Sequence, residues 1–226
     1  VLESPAISRE DILLVHDKNY VEAFFNGRLS SEAQRKIGFP WSEALVTRTR
    51  HSMGGTLAAS FAALEDGVAA NLAGGTHHAA YAMGGGYCVF NDLAIAARKL
   101  INLPEINSVL IADADVHQGD GTAKLMSSIS EVYTFSIHCA DNYPREKAIS
   151  DLDIPLPAGI GDEEYLRHFK DGLKRAMLAS RPDVVLYQAG ADAFEGDRLG
   201  NLALTKSGLK KRDEILFGAC LLYTSP

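Results

Sequence analysis

The sequence predicts a single α/β domain that is built on a mainly parallel β-sheet with helices on both faces. Two observations support this fold class. Short apolar segments that favour strands alternate with longer amphipathic segments that favour helices over the second half of the chain. Polar residues suited to chemistry follow directly after three of the predicted strands, where sites are usually built in open α/β sheets.

The N-terminal part of the chain is predicted to be mostly helical. Its elements in order are a strand or its approach at residues 11–16, helices at 18–27, 31–37 and 42–67, and a strand at 68–72. Ser42 is predicted to be the N-cap of the long helix. The Gly54-Gly55 pair inside that helix predicts close packing against another backbone, or a bend. The glycine-rich loop 74–86 is long enough to favour a functional role.

The remaining part of the chain alternates between the two kinds of element. In order, the predicted elements are a helix at 91–103, a strand at 107–111, a helix at 121–128, a strand at 132–137, a helix at 162–180, a strand at 183–188 and a helix at 205–219. Alternation at this spacing is typical of parallel strands joined by crossover helices. The sequence contains no internal repeat or low-complexity linker.

Composition limits the function classes. With 226 residues, of which 46% are apolar and 23% charged, the chain suits one globular domain with a sizeable core. A net charge of -7 argues against nucleic acid as a partner, and we expect the isolated basic triplet 210–212 to lie on a solvated helix face. No apolar run approaches the ~20 residues of a membrane span, and no signal peptide opens the chain. Three scattered cysteines favour a reducing compartment, so the cytoplasm is the expected location.

Both ends of the chain are expected to be incomplete. The first residue is Val1 rather than methionine. Residues 220–226 interrupt the helical pattern before them and resemble the translation of a sequencing-library adapter. We therefore expect residues 1–219 to be an incomplete domain whose C-terminal part is missing, and residues 220–226 to be a non-native tail.

The densest group of potential ligands lies in residues 111–121, which read Ile-Ala-Asp-Ala-Asp-Val-His-Gln-Gly-Asp-Gly. Strand alternation places Asp113, Asp115 and His117 on one face, and a carboxylate and an imidazole two residues apart can hold one divalent ion. The plain alternative is a polar turn in which Asp120 caps the next helix. A turn of that kind requires neither the third carboxylate nor the histidine.

Two further polar groups follow predicted strands. Residues 74–78 (Gly-Gly-Thr-His-His) come after the predicted strand 68–72. Residues 188–192 (Gln-Ala-Gly-Ala-Asp) lie at and after the end of the predicted strand 183–188. In a parallel sheet all three groups lie at the same edge. His77 and His78 point in different directions, so two separate proton carriers are a better interpretation than joint chelation. Taken alone, each histidine is more often an ordinary loop residue, and Asp192 a helix cap or turn former.

These strings together resemble the histone deacetylase family. The motifs occur in the family's order between about residues 11 and 219: Gly-Gly-Thr-His-His, Gly-Tyr-Cys-Val-Phe-Asn-Asp, Asp-Ala-Asp-Val-His-Gln-Gly-Asp-Gly, Phe-Ser-Ile-His and Ala-Gly-Ala-Asp followed by Gly-Asp-Arg-Leu-Gly. Gln118, the segment around Gly38-Phe-Pro, and the last string are more similar to the class IV branch and its bacterial relatives. The resemblance implies the arginase/deacetylase-like fold, and histone itself need not be the substrate.

The resemblance also implies a role for each matching residue. Asp115, His117 and Asp192 match the zinc ligands, a set that leaves coordination positions open for water and a substrate carbonyl and that ferrous iron also accepts. His77 and His78 match the tandem catalytic histidines. Their expected hydrogen-bond partners are Asp113 and Asp120, which would fix the tautomer and basicity of each ring.

Two secondary sites follow from the same resemblance. Gly86 and Tyr87 match the narrow channel that grips the acyl-lysine stem, although a glycine turn with a core aromatic residue is a fair alternative for Tyr87 alone. The residues that match a structural potassium site are Asp113, Asp115, His117, Ser136 and Ile137.

The implied reaction is hydrolysis of the amide of acetyl-lysine, or of a related acylated amine, to a free amine and a carboxylate. The family also uses a tyrosine hydroxyl to stabilise the oxyanion, and here only Tyr223 follows Ala219, in the suspect tail. Loss of such a donor costs about 100- to 1,000-fold in rate, so we expect the chain to bind metal but to be a feeble enzyme.

Two other interpretations of the site stay open. An arginase-like ureohydrolase with two manganese ions needs further bridging ligands, and Gln118 and the lone Asp192 argue for one ion. A non-catalytic module that binds an acylated amine is the third interpretation, against which the intact ligands and both histidines argue. The oligomeric state is not predicted.

Overall fold

The computed structural model describes the backbone of residues 1–224 and the side chains of residues 1–220. Its helices are α1 (Arg9–Ile12), α2 (Lys18–Phe25), α3 (Ser31–Ile37), α4 (Glu43–Asp66), α5 (Asp92–Leu100), α6 (Asp120–Met126), α7 (Asp162–Ser180) and α8 (Lys206–Thr224). Its strands are β1 (Val109–Asp113), β2 (Val132–Cys139), β3 (Leu152–Leu156) and β4 (Val184–Gln188).

The chain divides into two units by its internal contacts. Unit 1 consists of Val1–Ile106 and Asp120–Ser128, and contains helices α1 to α6. Unit 2 consists of Asn107–Gly119 and Ile129–Pro226, and contains all four strands with α7 and α8.

Helices α2 to α6 of unit 1 follow the sequence prediction closely, whereas α1 was not predicted. Helix α4 begins after Ser42, whose hydroxyl accepts a 3.0 Å hydrogen bond from the amide of Leu45, and it ends at Gly67 with a φ of 82°. Inside α4, a Cβ atom at position 54 would lie 1.9 Å from the carbonyl oxygen of Pro5. The predicted close approach of a second backbone at Gly54 is therefore confirmed, because only a residue without a side chain fits there.

Two predicted strands of unit 1 are wrong. Residues 11–16 contain the end of helix α1 and a turn, since the hydroxyl of Ser8 caps α1 by accepting from the amide of Asp11 at 3.1 Å. Residues 68–72 form no strand, and Val68 and Leu72 are exposed. A short apolar run becomes a strand only where a neighbouring strand pairs with it, and neither run has such a partner in the described part of the chain.

Unit 2 contains a four-stranded sheet in the order β3-β2-β1-β4. Every pairing in it is parallel, so the predicted parallel sheet is confirmed. Strand β3 was not predicted, and it contains Pro155, which is unfavourable inside a strand. Proline cannot donate a backbone hydrogen bond and is confined to edge strands such as this one.

Helix α7 covers one face of the sheet. Its Phe169 and Tyr165 are fully buried in the same apolar core as Phe135 of β2. Burial of one such side chain contributes about 1.5–3 kcal/mol. A Cβ atom at Gly172 would lie 2.5 Å from the Cδ1 atom of Ile154, so glycine at this position lets α7 lie close to the sheet. Helix α8 packs against α7. All five residues of β1 are buried, as expected for a strand that is covered on both faces.

The end of the chain differs from its prediction in two ways. Helix α8 continues to Thr224 instead of ending near Ala219, so the backbone helix runs into the suspected tail. The side chain of Tyr223 and the other side chains of residues 221–226 lie outside the described residues. In the basic triplet, Lys210 and Lys211 are exposed as predicted, but Arg212 is only 1% exposed, because its guanidinium finds acceptors inside unit 2.

Among the described helices, none is both long and apolar enough to cross a membrane.

Candidate metal centre

The carboxyl ends of β1 and β4 bring two of the predicted polar groups together. Asp113 is the last residue of β1 and pairs in register with Ser136 of β2 and Gln188 of β4. The chain leaves the sheet at this edge from both β1 and β4, as expected for parallel strands. The third group, around His77 and His78, lies in unit 1 and does not follow a strand.

Asp115, His117 and Asp192 form a group that fits a metal ion. One ligand atom from each lies within 4.8 Å of the others, and no other such group occurs among the described residues. The Nδ1 atom of His117 is 3.0 Å from a carboxylate oxygen of Asp115 and 3.0 Å from one of Asp192. The three side chains are 14–24% exposed, so none of them is completely shielded from solvent. Two carboxylate oxygens and one imidazole nitrogen are donors that zinc and ferrous iron accept.

Backbone amides hold both carboxylates in place. Oδ1 of Asp115 accepts from the amide of His117 at 2.9 Å, and Oδ1 of Asp192 accepts from the amide of Val116 at 3.0 Å. The amide of Asp115 itself donates to Oδ1 of Asp113 at 3.1 Å. The bond from Val116 to Asp192 connects the loop after β1 to the loop after β4. Backbone hydrogen bonds therefore fix the orientation of both carboxylates.

The charges of the group favour a cation. Burial lowers the pKa of His117, but its hydrogen bonds and charge interactions with Asp115 and Asp192 outweigh burial and raise that pKa to about 9. The protonated ring then supplies the positive charge that two neighbouring carboxylates need. Binding of a divalent ion by this group would require the imidazole of His117 in its neutral form, so it would release a proton.

Gly190 is required for the position of Asp115. A Cβ atom there would lie 2.5 Å from Cα of Asp115 and 2.6 Å from its Oδ2 atom. We expect Gly190→Ala to displace this ligand and to weaken zinc binding by about tenfold or more, measured by competition with a chromophoric chelator. The matched control is Gly218→Ala, because a Cβ atom there meets nothing within 4 Å. Equal zinc affinity in the two variants would contradict this account of the site.

The tandem histidines lie in unit 1, where both side chains are buried. Nδ1 of His78 is 2.9 Å from Oδ1 of Asp120, so the expected hydrogen bond between these residues is present. Lys124 donates to the other oxygen of Asp120 at 2.6 Å. Burial raises the pKa of Asp120, but His78 and Lys124 outweigh burial and lower it below the usual value. An ionised Asp120 can accept a hydrogen bond from the Nδ1–H group of His78, which would fix the ring in one tautomer.

The backbone around His77 is held by residues that the sequence analysis did not single out. Asp92 is 2% exposed and accepts hydrogen bonds from the amides of Gly75 and Thr76 at 2.9 and 2.8 Å. Asn91 caps α5 and donates to the carbonyl of His77 at 3.3 Å. Both residues end the Gly-Tyr-Cys-Val-Phe-Asn-Asp motif, so the motif was the signal that could have found them. The bond expected between His77 and Asp113 stays a prediction.

The predicted channel residues lie on a tight turn of unit 1. Gly86 has a φ of 52° and Tyr87 a φ of 66°, which is unusual for a residue with a side chain. The amide of Tyr87 donates to the carbonyl of Ile37 at 2.8 Å, and its ring lies 5.2 Å from that of Phe39. The Tyr87 side chain remains exposed. Strain of this kind is often found at functional positions, and the channel role of both residues stays a prediction.

The residues of the predicted potassium site occupy neighbouring strands of unit 2. Ser136 and Ile137 lie in β2, opposite the end of β1. The Oγ atom of Ser136 is 3.0 Å from Nδ1 of His138. Binding of potassium here stays a prediction.

Gln118 serves the local structure next to the metal group. Its side-chain amide donates to Oδ1 of Asp153 at 2.8 Å and to the carbonyl of Ala148 at 2.9 Å. The side-chain oxygen accepts from the amide of Ala148 at 2.8 Å. Gln118 therefore connects the loop after β1 to β3 and to the segment before it.

Comparisons of this chain with family models, with known proteins and with solved structures all agree on one family. The histone deacetylase domain matches residues 1–225. An uncharacterised protein of Picosynechococcus is 47% identical over 213 residues, which cover 94% of this chain and 71% of that protein. Histone deacetylase 2 of Arabidopsis thaliana is 30% identical over 234 residues, which cover 96% of this chain and 58% of the relative. The crystal structure of a histone deacetylase homologue complexed with SAHA has a TM-score of 0.86 at 26% identity, covering 97% of this chain and 64% of that one.

Proposed function

Because the chain belongs to the histone deacetylase family, we propose that it is a metal-dependent deacylase that hydrolyses the amide of acetyl-lysine or of a related acylated amine. The products are a free amine and a carboxylate. The observation that carries this proposal is the group of Asp115, His117 and Asp192, whose donor atoms lie within 4.8 Å of one another at the carboxyl edge of the sheet. The complex of the homologue with SAHA supports a site of this kind.

The proposal assigns the metal to this group. Asp115, His117 and Asp192 would hold one zinc or ferrous ion, and Asp113, Ser136 and Ile137, with Asp115 and His117, a structural potassium ion. When bound, the catalytic ion would polarise the amide carbonyl and lower the pKa of a water molecule. The open side of the three-ligand set would leave room for both.

The proposal assigns proton transfer to the tandem histidines. His78, fixed by the ionised Asp120 at 2.9 Å, would carry a proton on Nε2 between the attacking water and the leaving amine. His77 would share this task, with Asp113 as its partner. Gly86 and Tyr87 would grip the stem of the acylated amine. The cytoplasm is the predicted location.

A deacylation panel tests the reaction. The chain spans 58% of the Arabidopsis relative and 64% of the solved homologue, so the panel should compare the 226-residue chain with a longer protein of the relatives' length. Substrates are acetyl-lysine peptides, longer acyl-lysine peptides and acetylated polyamines. We expect the longer protein to be active and the chain to be about 100- to 1,000-fold slower, as when an oxyanion donor is lost. Equal activity of the two proteins would contradict the need for a further oxyanion donor.

Metal counting separates the proposal from its two alternatives. Plasma spectrometry of the purified protein should give about one transition-metal ion per chain, as expected for a single three-ligand site. A ratio near two would favour the ureohydrolase-like enzyme with two manganese ions. A non-catalytic module for acylated amines would still bind a substrate peptide but hydrolyse none in any form of the protein. For that module, Asp115→Ala would only weaken binding.

A further inference from the structure

Arg212 of α8 is a charged residue buried in unit 2. It is only 1% exposed, whereas the two lysines before it in the sequence are exposed. Burying a guanidinium is costly unless its charge and its donors are all satisfied, and an apolar side chain of similar size often gives equal stability. Packing alone therefore does not explain an arginine at this position, and its hydrogen bonds indicate what it does.

One nitrogen of Arg212 bonds to both loops that carry the metal ligands. Nη1 donates to the carbonyl of Ala114 at 3.1 Å and to the carbonyl of Gly190 at 2.8 Å. Ala114 lies directly before Asp115, and Gly190 lies two residues before Asp192. The guanidinium thus joins the loop after β1 to the loop after β4.

The guanidinium is itself held in one orientation. Nε and Nη2 both lie 3.0 Å from Oδ1 of Asp213, which also accepts the hydroxyl proton of Tyr187 at 2.7 Å. The Cζ atom of Arg212 lies 5.8 Å from the centre of the Tyr187 ring. Since Tyr187 is part of β4, the side chain is fixed against the same strand that leads to Gly190. Because Asp213 holds the planar guanidinium, the two N–H bonds of Nη1 keep fixed directions toward the two carbonyls, which the rotatable ammonium group of a lysine cannot provide.

We propose that Arg212 is a positioning residue of the metal centre, which sets the separation between the ligands of the β1 loop and Asp192. This inference rests on the proposed function, because it takes Asp115, His117 and Asp192 to bind a divalent ion. Arg212 acts through the backbone carbonyls of Ala114 and Gly190.

The test measures binding of Co²⁺ to the metal-stripped protein, because the visible absorption of cobalt reports its coordination geometry. For Arg212→Gln we expect a Kd about 10- to 100-fold higher than in the parent, together with an altered spectrum. For Arg212→Lys, which keeps the charge but loses the fork, we expect a smaller rise in Kd and again an altered spectrum. These readouts respond to the ligand geometry directly and need no substrate.

Two control variants distinguish an effect on the position of the ligands from an effect of net charge or of folding stability. Lys210→Gln removes one positive charge from the exposed side of α8, and Leu216→Ala opens a cavity in the core one turn further along the same helix. Both should keep the Kd and the spectrum of the parent, although Leu216→Ala lowers the melting temperature. Equal weakening in Leu216→Ala and Arg212→Gln would show that general destabilisation is the cause and would overturn the inference.

If Arg212→Gln does not fold, Asp213→Asn replaces it in the test. That variant keeps Arg212 but weakens the carboxylate that orients it, so we expect a smaller rise in Kd in the same direction. A parental Kd and spectrum in both Arg212→Lys and Asp213→Asn would overturn this inference but would leave the proposed function intact. A parent protein that binds no Co²⁺ overturns the metal assignment of the proposed function, and the inference with it.

Discussion

Replacing Asp192 with alanine is expected to remove the stoichiometric metal ion and to lower deacylation by at least about a thousandfold, because the ion supplies several kcal/mol of transition-state stabilisation. The substitution removes one of two carboxylate ligands. It also removes the 3.0 Å bond from the amide of Val116 that connects the two ligand loops. The measurements are metal content by plasma spectrometry and initial rates on an acetyl-lysine peptide, both on the longer protein.

Two further variants make this result specific. Asp192→Asn keeps an oxygen that can accept from Val116 but loses the charge, so it should bind metal more weakly than the parent and more tightly than Asp192→Ala. Asp171→Ala removes a carboxylate from the exposed side of α7 and should leave both measurements unchanged. Parental metal content in Asp192→Ala would contradict the proposed ligand set.

The local pattern of the sequence predicted part of the candidate metal group, whereas the complete set with Asp192 followed from the resemblance to the family. Asp113, Asp115 and His117 follow an apolar segment within a few residues, and a buried strand with a polar end is a strong signal. Asp192 follows a second apolar segment of the same kind. Parallel pairing of β1 with β4 then brings both ends to one edge, as the register of Asp113 with Gln188 shows.

Other features could not be read from local pattern because they depend on partners distant in sequence. Strand β3 exists because β2 pairs with it, although Pro155 makes the segment unlike a strand. Residues 68–72 have the opposite character, apolar in sequence but exposed. Arg212 belongs to a basic triplet that predicts a solvated face. It is nevertheless buried, because the carbonyls of Ala114 and Gly190 accept hydrogen bonds from its guanidinium group. The hydrophobic periodicity of a sequence indicates which residues are apolar. It gives no information about which buried carbonyl groups can accept hydrogen bonds from a charged side chain.

Replacing His78 with alanine is expected to lower kcat by about 100- to 10,000-fold while the metal content stays near one ion per chain. His78 is not among the grouped metal-binding residues, so its loss should leave the ion in place. The variant loses a ring whose Nδ1 atom lies 2.9 Å from Asp120 and which we propose to transfer a proton through Nε2. Rates on an acetyl-lysine peptide and metal content, measured on the same preparation of the longer protein, check this result.

The Asp120→Asn variant tests why His78 works. The ionised carboxylate, whose pKa is lowered by His78 and Lys124 against the effect of burial, selects the ring tautomer with the proton on Nδ1. Asparagine can donate to Nδ1 as well as accept from it, so part of the population should hold the wrong tautomer. We expect a fall in kcat that is smaller than in His78→Ala, with unchanged metal content. His168→Ala, on the surface of α7, is the control and should keep the parental rate. A parental kcat in Asp120→Asn would show that His78 does not need orientation by this carboxylate. Loss of metal in His78→Ala would contradict the proton-transfer role and would indicate that His78 binds the metal.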